Sequence, residues 1–241
     1  MKTVKLLFIL VVIILCASAL SLFYFYNTSY DAENTSNTIF KSVVLGKTDY
    51  GTVIREGPYG NVSSENRIVY IVGVHPLEYQ AHETVKESLI SQNNSLENCY
   101  YIYQVNVTQD ADNYKKGRLN GEKLANKYAV PDIKNMSIDL VIDVHSNEAN
   151  GGYQEIKFLY IPQKSEKAEK VALEITNQIK WLTIYSPPNP TSPAYVTIPL
   201  IKSGIPTIIY ETYTYQSYEQ TKKESQELVA VVDNLIYKNN D

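Results

Sequence analysis

The sequence contains three histidines, His75, His82 and His145. His75 stands three residues before a carboxylate in Gly-Val-His75-Pro-Leu-Glu78, so one tight turn can aim an imidazole and a carboxylate at one ion. His145 ends the apolar run Asp-Leu-Val-Ile-Asp-Val-His145. Two imidazoles and a carboxylate form the donor set of a catalytic zinc site, in which a fourth position stays open for water or substrate. Glu211 ends a second apolar run, Thr-Ile-Ile-Tyr-Glu211, and a carboxylate in such a place is costly to bury without a partner. An acidified water is such a partner, which makes Glu211 a candidate general base. His82 lies four residues after Glu78 and could share a helix face with it, so it is the alternative ligand to His145. Asp143, two residues before His145, is placed to orient that histidine. Zinc, one ion per chain, is the cofactor expected from these ligand types, and another divalent ion is the alternative.

These residues need elements to hold them. Residues 67–74 form a short β-branched run of the kind that makes a buried strand, and residues 77–91 follow with helical spacing, which puts His75 and Glu78 at a strand-to-helix junction. Residues 100–107 and 138–144 read as further strands, with a polar helical segment at 114–128 between them. A strand at 158–161, a Ser-capped helix at 165–181, a buried strand at 207–210 and an amphipathic helix at 218–237 complete the domain. This alternation predicts a three-layer α/β/α domain with a mixed, mainly parallel sheet, and in such sheets ligands bind beyond the carboxyl ends of the strands. The Pro-rich loop 186–199 carries Tyr195, a candidate substrate-binding group on a lid.

Residues 6–26 are an unbroken uncharged run preceded by Lys2 and Lys5 and closed by aromatic residues. About 20 apolar residues span a bilayer as a helix, and the preceding lysines leave the rest of the chain outside. A cleaved signal peptide is the competing reading, since Ala17-Ser18-Ala19 fits a cleavage site. The expected organisation is therefore an anchor or signal peptide at 1–26, a flexible Asn/Ser/Thr-rich stalk at 27–39 and a catalytic domain at 40–241, membrane-anchored facing outside or secreted. Six Asn-x-Ser/Thr acceptors, at Asn27, Asn34, Asn61, Asn93, Asn106 and Asn135, are consistent with a glycoprotein. With Cys16 in the apolar run, Cys99 is left without an intrachain partner. The chain has 22 basic against 26 acidic side chains, a balance that argues against a nucleic-acid partner.

In the order Gly-Val-His75-Pro-Leu-Glu78, Asp143-Val-His145-Ser, Tyr210-Glu211-Thr, the chain resembles the zinc carboxypeptidase superfamily, and within it the succinylglutamate desuccinylase and aspartoacylase branch. The resemblance implies His75, Glu78 and His145 as zinc ligands and Glu211 as general base. It adds Arg118, in Lys-Lys-Gly-Arg118-Leu-Asn-Gly, as similar to an arginine that polarises the carbonyl and steadies the oxyanion. Where the family carries an Asn-Arg pair that grips a substrate carboxylate, this sequence has Ala125-Asn126, so Asn126 is the substrate-binding candidate there. The expected function is hydrolysis of a peptide or N-acyl amino acid amide outside the cytoplasm, with cell-envelope substrates fitting that location. The alternative is a catalytically inactive domain of the same fold that binds a cell-surface peptide or glycan.

Overall fold

The computed structural model describes residues 41–150, 153–188, 190 and 192–238. The anchor or signal peptide and the stalk expected at 1–39 lie outside the described residues, among which no helix is long and apolar enough to cross a membrane.

Eight strands form one sheet: β1 (Lys41–Thr48), β2 (Gly51–Gly60), β3 (Arg67–Val72), β4 (Cys99–Val107), β5 (Leu140–Asn147), β6 (Phe158–Tyr160), β7 (Thr183–Ile184) and β8 (Thr207–Tyr213). Their order across the sheet is β1-β2-β4-β3-β5-β8-β6-β7. The centre, β4-β3-β5-β8, is parallel throughout. The β1-β2 hairpin joins β4 antiparallel, and β6 runs antiparallel to β8. Six helices accompany the sheet among the described residues: α1 (Tyr79–Gln92), α2 (Tyr114–Leu124), α3 (Val130–Lys134), α4 (Glu166–Gln178), α5 (Thr197–Ile201) and α6 (Tyr218–Lys238). A π-helical turn, Ala125–Ala129, joins α2 to α3.

The apolar runs explain the layering. A strand sends successive side chains to opposite faces, and β3 buries Ile68, Tyr70 and Val72 in one core while Val69 and Ile71 enter the other. The first core is closed by Ala81, Val85 and Leu89 of α1, Ala172 and Ile175 of α4, and Leu228 and Val232 of α6. The second is closed by Leu124, Ala125, Ala129 and Ile133 along α2 and α3, and by Leu200 of α5. A strand covered on both faces reads as a continuous hydrophobic run, and β5, seven of whose eight residues are buried, has that character. The expected three-layer arrangement is present, with a parallel centre and mixed edges.

The hairpin β1-β2 was not expected from the sequence. Its strands are half-exposed, β2 is interrupted by Gly57-Pro58, and the register shifts within both strands. Edge strands that mix charges and glycine lack the clean period that reveals a buried strand.

Candidate metal centre and cleft

His75 and Glu78 sit where β3 leaves the sheet. Gly73 turns the chain with φ 84°, a backbone that favours glycine, and a Cβ there would stand 2.1 Å from the Val105 carbonyl oxygen. Pro76 then starts a single 3-10 turn, Pro76–Glu78, closed by a hydrogen bond from the Glu78 amide to the His75 carbonyl at 3.0 Å. His145 stands two residues before the end of β5, in register with Glu211 on β8. The parallel centre of the sheet thus delivers three chemistry-bearing residues to the carboxyl ends of neighbouring strands.

Glu78 is the hub. Its Oε1 lies 2.9 Å from Nδ1 of His75 and accepts from Arg118 Nη1 at 2.7 Å; its Oε2 lies 2.9 Å from Nδ1 of His145 and accepts from the Ser146 amide at 3.1 Å. Burial would raise this carboxyl, but the imidazoles of His75 and His145 outweigh it and hold Glu78 well below the usual carboxylate range. Burial would likewise lower His145, and Asp143 and Glu78 overcome that and raise it. One donor atom each from His75, Glu78 and His145 lies within 4.8 Å of the others. Tetrahedral ligands at zinc distances of about 2.0–2.1 Å stand about 3.4 Å apart, so the trio would draw together to hold an ion.

The outer nitrogens support the same use. Nε2 of His75 is 3.4 Å from Glu122 Oε1, and Nε2 of His145 is 3.2 Å from Asp143 Oδ1. Each imidazole therefore turns Nδ1 inward and faces a carboxylate with its far nitrogen, the arrangement that fixes tautomer and ring orientation in metal-ligating histidines. Asp143 is itself held by a bond from Thr197 Oγ1 at 3.1 Å. His145 Nε2 and Asp143 Oδ1 are fully buried and make no aligned hydrogen bond among the described residues. The donor set, two imidazoles and a carboxylate braced by further carboxylates, fits a divalent ion of the zinc type.

Glu122 and Arg118 reach this centre because α2 approaches the end of β3 closely. Gly117 and Gly121, one turn apart, form its contact face, and a Cβ on Gly121 would stand 1.9 Å from the Val74 carbonyl oxygen. Glycine inside a helix costs about 1 kcal/mol relative to alanine, and here that cost is offset by a close approach that larger residues would prevent.

A cleft of about 290 Å³ opens beside the trio, lined by His75, Glu78, Arg118, Glu211 and Tyr153 among others. Burial pushes the Glu211 carboxyl up to about 8, with His145 opposing and Glu78 adding to the rise. Asn147 Nδ2 faces Glu211 Oε2 at 3.4 Å. Burial, with a contribution from the Glu211 carboxylate, raises the Tyr153 phenol to about 12.

The structure thus gathers His75, Glu78, His145, Arg118 and Glu211 at one place. His82 is buried on α1 and its Nε2 meets the Val144 carbonyl at 3.1 Å, so it braces β5 and stands apart from the trio. Tyr195 and Asn126 do not line the cleft. Tyr195 packs against the second core, and the Asn126 amide donates to the Tyr195 carbonyl at 2.6 Å. At the end of the loop expected to form a lid, Val196 is fully buried in the second core, as is Leu200 just after it. Glu122 and Tyr153 were not singled out from the sequence. Glu122 had a readable signal, since it follows the Gly-x-x-x-Gly contact face directly.

No family model matches the sequence, and no curated protein matches it. Among solved structures, a metallo-carboxypeptidase from Burkholderia cenocepacia superposes with TM-score 0.57 at 12% identity, covering 88% of this chain and 68% of that one. A metallo-carboxypeptidase from Pseudomonas aeruginosa, in complex with (2-guanidinoethylmercapto)succinic acid, gives TM-score 0.56 at 14% identity over 80% of this chain and 63% of that one. The tripeptide-bound cell shape determinant protein Csd4 from Helicobacter pylori gives TM-score 0.53 at 9% identity, covering 78% of this chain and 55% of that one. The fold of this chain is similar to that of these metallo-carboxypeptidases.

Proposed function

We propose that the chain is a zinc-dependent hydrolase that cleaves an amide bond of a peptide or N-acyl amino acid. The observation that carries this reading is the convergence of His75, Glu78 and His145 beside a cleft that also holds Glu211 and Arg118. A divalent ion held by the first three would supply Lewis acidity and an acidified water. Glu211, at the cleft with Asn147 beside its Oε2, would take the water's proton and return one to the leaving amine. The Arg118 guanidinium, steered by Glu78 at 2.7 Å, would face the negative charge that develops on the carbonyl oxygen.

The resemblance to the desuccinylase and aspartoacylase branch favours small acylated amino acids, and the solved neighbour that binds a tripeptide favours short peptides. The uncharged run 6–26 behind Lys2 and Lys5 supports placement outside the cytoplasm, anchored or secreted, where cell-envelope peptides are available. One observation favours the non-catalytic alternative: Asn126, at the family's carboxylate-gripping position, spends its amide on the Tyr195 carbonyl.

Hydrolysis of a panel of dipeptides and N-acyl amino acids by the zinc-supplemented full chain decides between them. Turnover that falls at least about 10³-fold in Glu211→Gln, as expected for loss of a general base together with its electrostatic role, supports the hydrolase. Stoichiometric zinc with no turnover on any member supports the binding domain.

A further inference from the structure

The hydrolase reading gives Tyr153 no task, although this residue lines the same cleft as His75, Glu78, Arg118 and Glu211. Its ring is fixed by a cluster of three aromatic residues. It meets Phe158 edge-on with centroids 5.9 Å apart and Tyr185 at 6.4 Å, while Phe158 and Tyr185 meet each other at 5.1 Å, all in the edge-to-face arrangement that aromatic pairs prefer. Phe158 is fully buried. The Tyr185 amide donates to the Leu159 carbonyl at 3.1 Å, and its hydroxyl accepts from the Gln154 amide at 3.2 Å. The residue after Tyr153 is thereby tied to the same cluster.

The register of the sheet sets this cluster beside the candidate base. Phe158 of β6 stands directly opposite Glu211 of β8 in an antiparallel pair, and directly opposed residues project from one face with Cβ atoms about 4.5–5.5 Å apart. Tyr153, packed on Phe158, therefore stands on the Glu211 side of the cleft, whereas Arg118 arrives from α2 and bonds Glu78. The electrostatics agree with this placement. Burial raises the phenol to about 12, with Glu211 adding to the rise and Arg118 opposing it, so the hydroxyl feels both groups and keeps its proton at neutral pH. Among the described residues that hydroxyl has no hydrogen-bond partner, which leaves the O–H to donate to a molecule in the cleft.

We infer that the Tyr153 hydroxyl is a catalytic hydrogen-bond donor to the scissile amide of the substrate, on the side of the cleft that Glu211 serves. This role rests on the hydrolase reading above. The bond strengthens as negative charge develops on the tetrahedral adduct. The phenol gives up no proton: one water adds across the amide, Glu211 carries the water's proton to the leaving nitrogen, and Tyr153 makes and breaks only a hydrogen bond.

Tyr153→Phe removes the hydroxyl and keeps the ring that packs on Phe158 and Tyr185. With the zinc-supplemented full chain and the member of the dipeptide and N-acyl amino acid panel that turns over fastest, kcat should fall about tenfold in this variant and KM change less than about twofold, as for a hydrogen bond made in the transition state. Zinc content should be unchanged. The phosphinate analogue of alanyl-alanine copies the tetrahedral adduct and is not hydrolysed, and its affinity, measured by calorimetry, should weaken about tenfold as well. An unchanged kcat, a change in KM alone, equal binding of the phosphinate, or loss of zinc in Tyr153→Phe overturns the inference and leaves the hydrolase reading intact. If the wild type hydrolyses no member of the panel, the hydrolase reading fails and the phosphinate alone decides. Weaker binding in Tyr153→Phe then upholds the contact, and equal binding, or none in either protein, overturns it.

Discussion

Two buried carboxylates at different places in the molecule show how a structural site differs from a chemical one. Asp233, on α6, is saturated by neutral donors: the amides of Glu97 and Asn98 at 2.9 and 3.0 Å, the Asn98 side-chain amide at 2.8 Å and the Tyr100 hydroxyl at 2.9 Å. Each bond needs the carboxylate and nothing else. Glu78 is surrounded instead by two imidazoles and a guanidinium, and the buried atoms His145 Nε2 and Asp143 Oδ1 nearby lack aligned partners among the described residues. Polar groups satisfied by neutral donors rigidify a fold; a cluster of charged groups that compete for one carboxylate is arranged for an ion or a reaction.

The contrast predicts opposite consequences for the two places, beginning with the largest change in stability. Asp233→Ala leaves several buried donors of residues 97–100 without a partner and should lower unfolding stability by about 4 kcal/mol in urea titration, with zinc stoichiometry unchanged. Loss of zinc in that variant under conditions where it remains folded would break the distinction.

A somewhat smaller effect is expected at His82, which links the metal side of the sheet to its packing. Burial lowers this imidazole from 6.5 to about 4, and its Nε2 meets the Val144 carbonyl. The folded chain then binds one proton fewer than the unfolded chain between those values, so this stabilisation is complete above pH 6.5 and lost as pH falls toward 4. It amounts to about 3 kcal/mol. His82→Gln, whose amide can still donate to Val144, should flatten that part of the pH–stability curve, read as the difference between variant and wild-type urea midpoints across the window. Identical slopes in the two proteins would remove His82 as the source.

The smallest of these effects concerns Asn147, whose amide touches Glu211 at 3.4 Å while also tying β5 to β8. Asn147→Ala should reduce kcat by about tenfold, or about 1.4 kcal/mol, with zinc content kept. A change in KM alone would assign it to substrate binding.

Much of this candidate site could be read from the sequence because its residues stand at the ends of apolar strand runs, where polar residues have no packing role: His75 after β3, His145 in β5 and Glu211 in β8. The two cores followed from the same runs. What stayed hidden arrives by tertiary approach. Glu122 reaches His75 only because Gly121 lets α2 settle against Val74, and Tyr153 enters the cleft from a loop with no periodic signal. Tyr195 packs against the second core beside Val196 and Leu200, a placement that a Pro-rich segment does not announce. The edge hairpin β1-β2 went unread because half-exposed strands alternate too weakly.

The most direct test of the metal centre is elemental analysis of the full chain, purified with zinc present and then dialysed, in wild type and in His145→Ala. The account predicts about one zinc per wild-type chain, consistent with a single three-ligand site, and little or none in the variant while its fold, followed by circular dichroism, is retained. A folded wild-type chain without metal, or a variant that keeps its zinc, would contradict the assignment of His75, Glu78 and His145.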